Sequence, residues 1–543
     1  MSNKLVKISR YNIYSCLTIK VDNVNVCFDP AKIRDVDLND IVPDIIFISH
    51  ESMDHMDPIQ VYLLQKKKNC KIFCSVATAV DLAQYYPGDI DFIDSLQPLM
   101  SGCNVVYGDV LISTAQSIHC DYMMPLVFKL IFSKQNISLI NCFDSHLSEE
   151  IIQLSSETDL GIIPVGIAKG VNPVSAKIFA NKLHSKKFLT NHFKDKQQLQ
   201  EFNKIIQTVD DSSQYILLDW NKSCEVEFTP SSKLIEKENT ISDLYNISIN
   251  DFCDFILSRE KITSDILKVY LVRMNESRNK LLQDKILIRL YSNYSNLSEE
   301  AKTVLLVIYT VITLLDPTIL NKAIINNLNE DLLSKSTDKV NSLKVVVLFF
   351  LGVYSQQTAS CSYLENIDFI TTDEFEHVNY WLVEFLGRSA TSRGKDCQKA
   401  MEALGKIINN EKLYNSVVIR RKIFWELFRI AKMLPQIAPR FAISFEQGLA
   451  DSNPDVRLLA ILCFGLSDRI HKITAQQIDK IFDLFRDEED DVRETAVKFA
   501  GMLLKGHKEI VMQNKNLISE LLNDSNCHVQ LAARQTLNLI PKN

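Results

Sequence analysis

The stretch Phe47-Ile48-Ser49-His50-Glu51-Ser52-Met53-Asp54-His55-Met56-Asp57-Pro58 sets two histidines and two aspartates directly behind an apolar run. Imidazole nitrogens and carboxylate oxygens side by side suit Zn, Mn or Fe, whereas Ca takes oxygen ligands alone. Three more candidates stand singly farther along: His119 in Ala115-Gln116-Ser117-Ile118-His119, Asp144 in Asn141-Cys142-Phe143-Asp144, and His192 in Thr190-Asn191-His192-Phe193. Six of the ten histidines (His50, His55, His119, His146, His184 and His192) fall in the first 192 residues.

Such residues make a site only if the elements carrying them converge. Val24–Phe28, Asp44–Ser49, Lys71–Ser75, Val110–Thr114, Ile137–Cys142, Leu160–Pro164 and Phe188–Thr190 are short apolar or β-branched runs. Most are bounded by Asp, Asn, Gly or Pro, which predicts strands. Pro58–Gln65, Val76–Gln84 and Pro173–Leu183 have helical spacing. The alternation predicts an α/β domain over about residues 1–230, and His50, His119, Asp144 and His192 each follow a separate strand. Asp29 reads as a strand-end turn residue, His184 as a surface or cap residue and His146 as a polar turn residue. Lys66-Lys67-Lys68 falls where a helix should end and complements its dipole.

This order of motifs resembles the metallo-β-lactamase fold, in the branch containing L-ascorbate-6-phosphate lactonase. The family's His-x-His-x-Asp-His falls on His50, Ser52, Asp54 and His55; its later ligands fall on His119, Asp144 and His192, and its upstream Asp-Pro on Asp29-Pro30. The resemblance implies an αββα sandwich and a metal-dependent hydrolase of a phosphoester, phosphodiester or lactone. It assigns His50, Asp54, His55, His119, Asp144 and His192 to metal, with Asp54 and His119 also acting in catalysis. This chain departs at Ser52, a weak ligand where the family has histidine, and at Phe143 where it has glycine. Glu51 and His146 are the neighbouring donors that could compensate. The expectation is therefore one divalent ion, Zn or Mn, held by Asp54, His55, Asp144 and His192.

From about residue 235 strand-like alternation gives way to helical spacing, as in Ile266–Met274 and Ala301–Leu315. Asp455-Val456-Arg457, Asp491-Val492-Arg493 and His528-Val529-Gln530 recur at offsets of 36 and 37 residues. This resembles HEAT repeats, in which Asp caps the second helix or pairs with Arg in the stack. We expect a degenerate helical solenoid over 231–439 and HEAT-like repeats over 440–543, whose use is to hold a protein partner. At 543 residues, 46% hydrophobic and 23% charged, the composition is that of a multi-domain globular protein. The net charge of −7 gives no sign of a polyanion binder, so nucleic acid is not indicated. Apolar runs of about twelve residues suit buried helices rather than membrane spans, and the thirteen scattered cysteines read as small hydrophobes. Both point to cytosol. Two function classes stand: a hydrolase of a small phosphorylated or nucleotide substrate, and a catalytically degenerate scaffold that binds a protein.

Overall fold

The computed structural model describes residues 4–119, 123–166, 171–193, 196–207, 214–229, 242–320, 328, 338–358, 375–392, 397–467 and 473–540. They divide into two compact units, 1–315 and 316–543.

The first unit holds two seven-stranded sheets. In chain order one sheet begins with β1 (Lys4–Arg10), β2 (Leu17–Val21), β3 (Val24–Phe28), β4 (Ile45–Ile48), β5 (Lys71–Ser75) and β6 (Leu96–Leu99). The other takes β7 (Asn104–Tyr107), β8 (Val110–Gln116), β9 (Leu126–Phe132), β10 (Ile137–Asn141), β11 (Thr158–Pro164), β12 (Ser185–Asn191) and β13 (Tyr215–Ile216). The last strand, β14 (Lys222–Phe228), returns to pair antiparallel with β1. From β3 to β6 and from β10 to β13 the pairing is parallel. Since β9 runs antiparallel to both β8 and β10, β8 points the same way as β10. The carboxyl ends that carry the candidate residues thus share one edge of their sheet.

Period-two alternation assigns the faces. Phe28, Phe47 and Phe73 stack side by side on one face of the first sheet, and Phe47 meets Phe128 of the second sheet with ring centroids 5.2 Å apart. On the opposite face Cys27, Ile46, Ile48, Ile72 and Cys74 cluster with Leu38, Val61, Leu64, Ala79 and Leu82 from the flanking helices. This is the αββα sandwich expected from the sequence. Helix Pro58–Lys68 ends on its three lysines, with Asn69 in the left-handed conformation as cap. Lys66 and Lys68 pair with Asp89 and Asp44, while Lys67 donates to the carbonyls of Asn39 and Ile41.

Among the described residues after Phe228 every regular element is a helix. Helices Pro454–Ser467, Asp490–Leu503 and Cys527–Leu539 contain the three repeat motifs near their amino ends. The motif Asp455 pairs across the stack with Arg421 of helix Val417–Met433, Oδ2 to Nη1 3.2 Å. Arg457 forks onto Asp487 (both contacts 2.7 Å) and Arg493 onto Asp524 (2.8 and 2.9 Å), aspartates that open the turn of the next repeat. Arg420, on helix Val417–Met433, makes the same fork to Asp451. The register therefore reaches back one repeat before residue 440. No described helix is long and apolar enough to cross a membrane.

Candidate metal centre

All six candidate residues meet at the strand edge. His50 follows β4, His119 follows β8, Asp144 follows β10, and His192 follows β12 with a left-handed φ of 42°. The backbone bridge between Ile118 and His146, reinforced by Ile118 N–H donating to Ser145 Oγ at 2.8 Å, ties the His119 segment to the Asp144 segment. His192 is fixed by its own N–H donating to the Tyr14 carbonyl at 3.0 Å. Ring centroids lie 4.2 Å apart for His50 and His55, 5.2 Å for His50 and His119, and 5.3 Å for His55 and His192. Two groups of three result, His50/His119/Asp144 and Asp54/His55/His192, each with its ligand atoms within 4.8 Å of one another. Asp144 lies between them: its Oδ2 is 3.2 Å from His119 Nε2, 3.4 Å from His55 Nε2 and 3.8 Å from His50 Nε2.

Hydrogen bonds on the far side of three rings dictate which nitrogen faces inward. Asp29 accepts from the Ser49 N–H at 2.8 Å and the Ser49 hydroxyl at 3.0 Å, and its Oδ2 lies 2.6 Å from His55 Nδ1. That carboxylate can only accept, so His55 donates from Nδ1. The Ser49 proton being spent on Asp29, Ser49 Oγ accepts from His50 Nδ1 at 2.9 Å. His192 Nδ1 donates to the Gly166 carbonyl at 3.0 Å. Three Nε2 atoms are thereby turned toward the centre, the arrangement that orients metal-ligating histidines. Asp29 is thus no mere turn residue. Its part was not readable from Asp29-Pro30 alone, because its partners are 20 and 26 residues away.

The charges are those of a cation site. Burial disfavours ionisation of Asp144 and Asp54, yet His55 with His50, and His55 with His192, hold both carboxyls well below the usual carboxylate range. Burial alone would keep His55 neutral, but Asp144, Asp54 and Asp29 together push it well above the ordinary imidazole value. Burial takes His50 the other way and keeps it neutral, and burial raises Asp29. The two carboxylates thus demand positive charge between them, which in the ion-free chain a proton on His55 supplies. Asp144 Oδ1 and His55 Nε2 are buried with no hydrogen-bond partner among the described residues. Mixed nitrogen and oxygen donors around such atoms fit a divalent ion.

The two departures have distinct consequences. Ser52 is not part of either ligand group; its hydroxyl donates to Asp54 Oδ1 in a short hydrogen bond, and Asp54 presents Oδ2 to His192 Nε2 at 3.3 Å and to His55 Nε2 at 3.6 Å. Phe143 sits at φ 50°, left-handed backbone that costs a bulky residue energy, and is fully buried against Phe28 and Phe128. Neither Glu51 nor His146 joins a ligand group, and His184 is exposed.

No family model matches the chain, and no curated protein does. Among solved structures, a metallo hydrolase from the hyperthermophilic archaeon Ignicoccus hospitalis is 17% identical, covering 41% of this chain and 100% of its own, with a TM-score of 0.36. The metallo-β-lactamase fold protein YhfI from Bacillus subtilis is 15% identical over 41% of this chain and 100% of its own, with a TM-score of 0.34. A designed armadillo repeat protein is 17% identical over 40% of this chain and 99% of its own, with a TM-score of 0.30.

Proposed function

We propose that this chain is a metal-dependent hydrolase of a small phosphorylated or nucleotide substrate, cleaving a phosphoester, phosphodiester or lactone in the cytoplasm. The helical repeats then serve to bind a protein partner. The observation that carries the reading is the set of Nδ1 hydrogen bonds that turn His50, His55 and His192 inward around Asp144. The ion is Zn or Mn, one per chain, held by Asp54, His55, Asp144 and His192. When bound, it supplies Lewis-acid polarisation and makes a coordinated water more acidic.

The chain's own residues divide the remaining work by exposure. His50, His55 and Asp144 are almost wholly enclosed, whereas the side chains of Asp54 and His119 are 26% and 17% exposed. Asp54 and His119 therefore face substrate, Asp54 orienting the nucleophile and His119 holding substrate or water by hydrogen bond. Elemental analysis of the purified chain, with activity measured on bis-p-nitrophenyl phosphate, p-nitrophenyl phosphate and a lactone, tests this. We expect about one equivalent of metal, and loss of both metal and turnover in Asp144→Ala. A native protein that binds no metal, with turnover indifferent to Asp144→Ala, sinks the reading.

The engagement of Ser52 with Asp54 favours a second reading, a scaffold whose ion is structural. Partner capture that survives Asp54→Ala combined with Asp144→Ala, from a native chain that takes up metal without turning over any ester, would select it.

A further inference from the structure

We infer that Lys32, braced on Tyr14, forms a subsite for a phosphate or phosphoester anion at the open edge of the metal centre. The inference rests on the reading just given and names what that site would recognise beside the ion.

The open edge is set by exposure. Of the six site side chains, Asp54, His119 and His192 are the ones solvent reaches, the last at 11%. Tyr14 packs edge-on against His192, ring centroids 5.6 Å apart, and is itself buried. Lys32 Nζ donates to the Tyr14 hydroxyl at 3.1 Å and lies 4.3 Å from the Tyr14 ring centroid. The ammonium therefore stands one ring beyond His192.

The loop that presents Lys32 is clamped along its length. Asp29 is tied to Ser49 and His55. The Pro30 carbonyl accepts from the Asp57 N–H at 3.2 Å. Buried Asn12 donates to the Ala31 carbonyl at 2.7 Å while accepting from the Cys16 N–H at 3.0 Å, which joins this loop to the one carrying Tyr14. Gln60 grips both backbone groups of Ile33, at 3.0 and 2.8 Å. Between these anchors Lys32 is held at φ 51°, a left-handed conformation costly for a residue with a long side chain. Backbone strain imposed by so many neighbours is characteristic of functional loops. Here it fixes the backbone from which Lys32 reaches Tyr14. One loop thus carries both Asp29, which orients His55, and Lys32, which reaches the ring packed on His192.

A lysine ammonium is a compact charge with three donors, suited to a phosphoryl oxygen, and the Tyr14 hydroxyl that accepts one of them fixes its direction. An anion bridging the ion and Lys32 would be gripped at two points. The same geometry disfavours neutral substrates such as an unphosphorylated lactone.

The test is calorimetric titration of the manganese-loaded full chain with inorganic phosphate and, separately, diethyl phosphate, with metal content read by elemental analysis. Lys32→Met is expected to bind both anions about tenfold or more weakly than native protein, as removal of one charge-assisted hydrogen bond implies. Lys32→Arg should keep most of the affinity and Tyr14→Phe should lose a few-fold, all with native manganese content and thermal midpoint. Binding of inorganic phosphate alone would restrict the subsite to a free or terminal phosphate, and binding of both extends it to diesters. If Lys32→Met takes up manganese and binds both anions as tightly as native protein, the subsite is wrong and the metal centre stands. If native protein takes up no manganese, zinc or cobalt, the hydrolase reading falls, and the subsite with it. If Lys32→Met loses manganese while the remaining loaded fraction binds phosphate normally, the lysine only supports the metal site and the subsite is overturned.

Discussion

Ser52 donates its hydroxyl proton to Oδ1 of Asp54, and Asp54 turns its other oxygen toward Nε2 of His192, 3.3 Å away. A residue that reads from sequence as a lost ligand is in the fold the group that positions Asp54. Removing a partner of this kind commonly weakens metal affinity about 10- to 100-fold. Ser52→Ala should show that loss, and Ser52→Thr should restore binding because it keeps the hydroxyl. Competition against a chromophoric chelator measures both. Equal affinities in native and Ser52→Ala protein would mean that Asp54 needs no such support.

Metal uptake should release a proton and tighten as pH rises. In the ion-free chain the pKa of His55 is raised above its unfolded value by Asp144, Asp54 and Asp29 against the opposing effect of burial. Its contribution to stability is then fully present below the ordinary imidazole pKa and lost as pH rises through the folded value. An ion at Nε2 must displace that proton, so affinity climbs until His55 is neutral and then levels. Titrations in two buffers of different ionisation enthalpy count the protons. The slope with pH should shrink in Asp29→Asn, whose lost charge lowers the His55 pKa. Metal affinity that does not vary with pH would refute the proton's role.

Acid should weaken the ion-free protein for the opposite reason. Asp54 and Asp144 titrate well below the usual range, so their contribution is present above the unfolded carboxylate pKa and disappears as pH falls through the folded values. Denaturant midpoints of chelator-treated protein should fall on acidification, and less so in Asp144→Asn. An unchanged slope in that variant would show that the carboxylate is not ionised in the fold.

Phe143→Gly sets two effects against each other. Glycine would relieve left-handed backbone strain of about 1–2 kcal/mol, while loss of a fully buried phenyl ring costs about 3–5 kcal/mol. Packing is the larger effect. The variant should therefore be less stable by roughly 2 kcal/mol in urea denaturation. A gain in stability would mean that the contacts with Phe28 and Phe128 contribute little.

Arg457→Ala removes the fork to Asp487 and the donors to the carbonyls of Asp451 and Ser452. Both side chains of the pair are nearly enclosed, at 9% and 5% exposure. Stranding such a carboxylate costs about 3 kcal/mol or more, so the unfolding transition of the helical unit should move to lower denaturant. Arg457→Lys should recover only part of the loss, since an ammonium cannot fork. Full recovery would assign the effect to charge rather than geometry.

Strands β3, β4, β5, β8, β10, β11 and β12 were legible as short apolar runs, and the helices near 58, 76 and 173 as periodic ones. β6 escapes the pattern because it contains Pro98, β7 because it is a half-exposed edge, and β1 and β14 because they specify each other across more than two hundred residues. The six candidate residues that the fold brings together were legible as candidates because metal chemistry restricts residue types and because strand ends are local features. The repeat was legible at Asp455 and Asp491, and Asp455 does pair with an arginine of the stack, Arg421, but the forks of Arg457 and Arg493 were not. The forks link one repeat to the next, and spacing within a repeat cannot reveal that.

The sequence by itself determined the alternation of the first half, the helical second half and the identity of the histidines and aspartates, since each depends on short-range periodicity or on side-chain chemistry. Only the tertiary structure decided that Asp29 orients His55, that Ser52 holds Asp54 and that Lys32 stands beside Tyr14. Those relationships are hydrogen bonds between chain-distant atoms, and direction is a property of folded space that residue order does not encode locally.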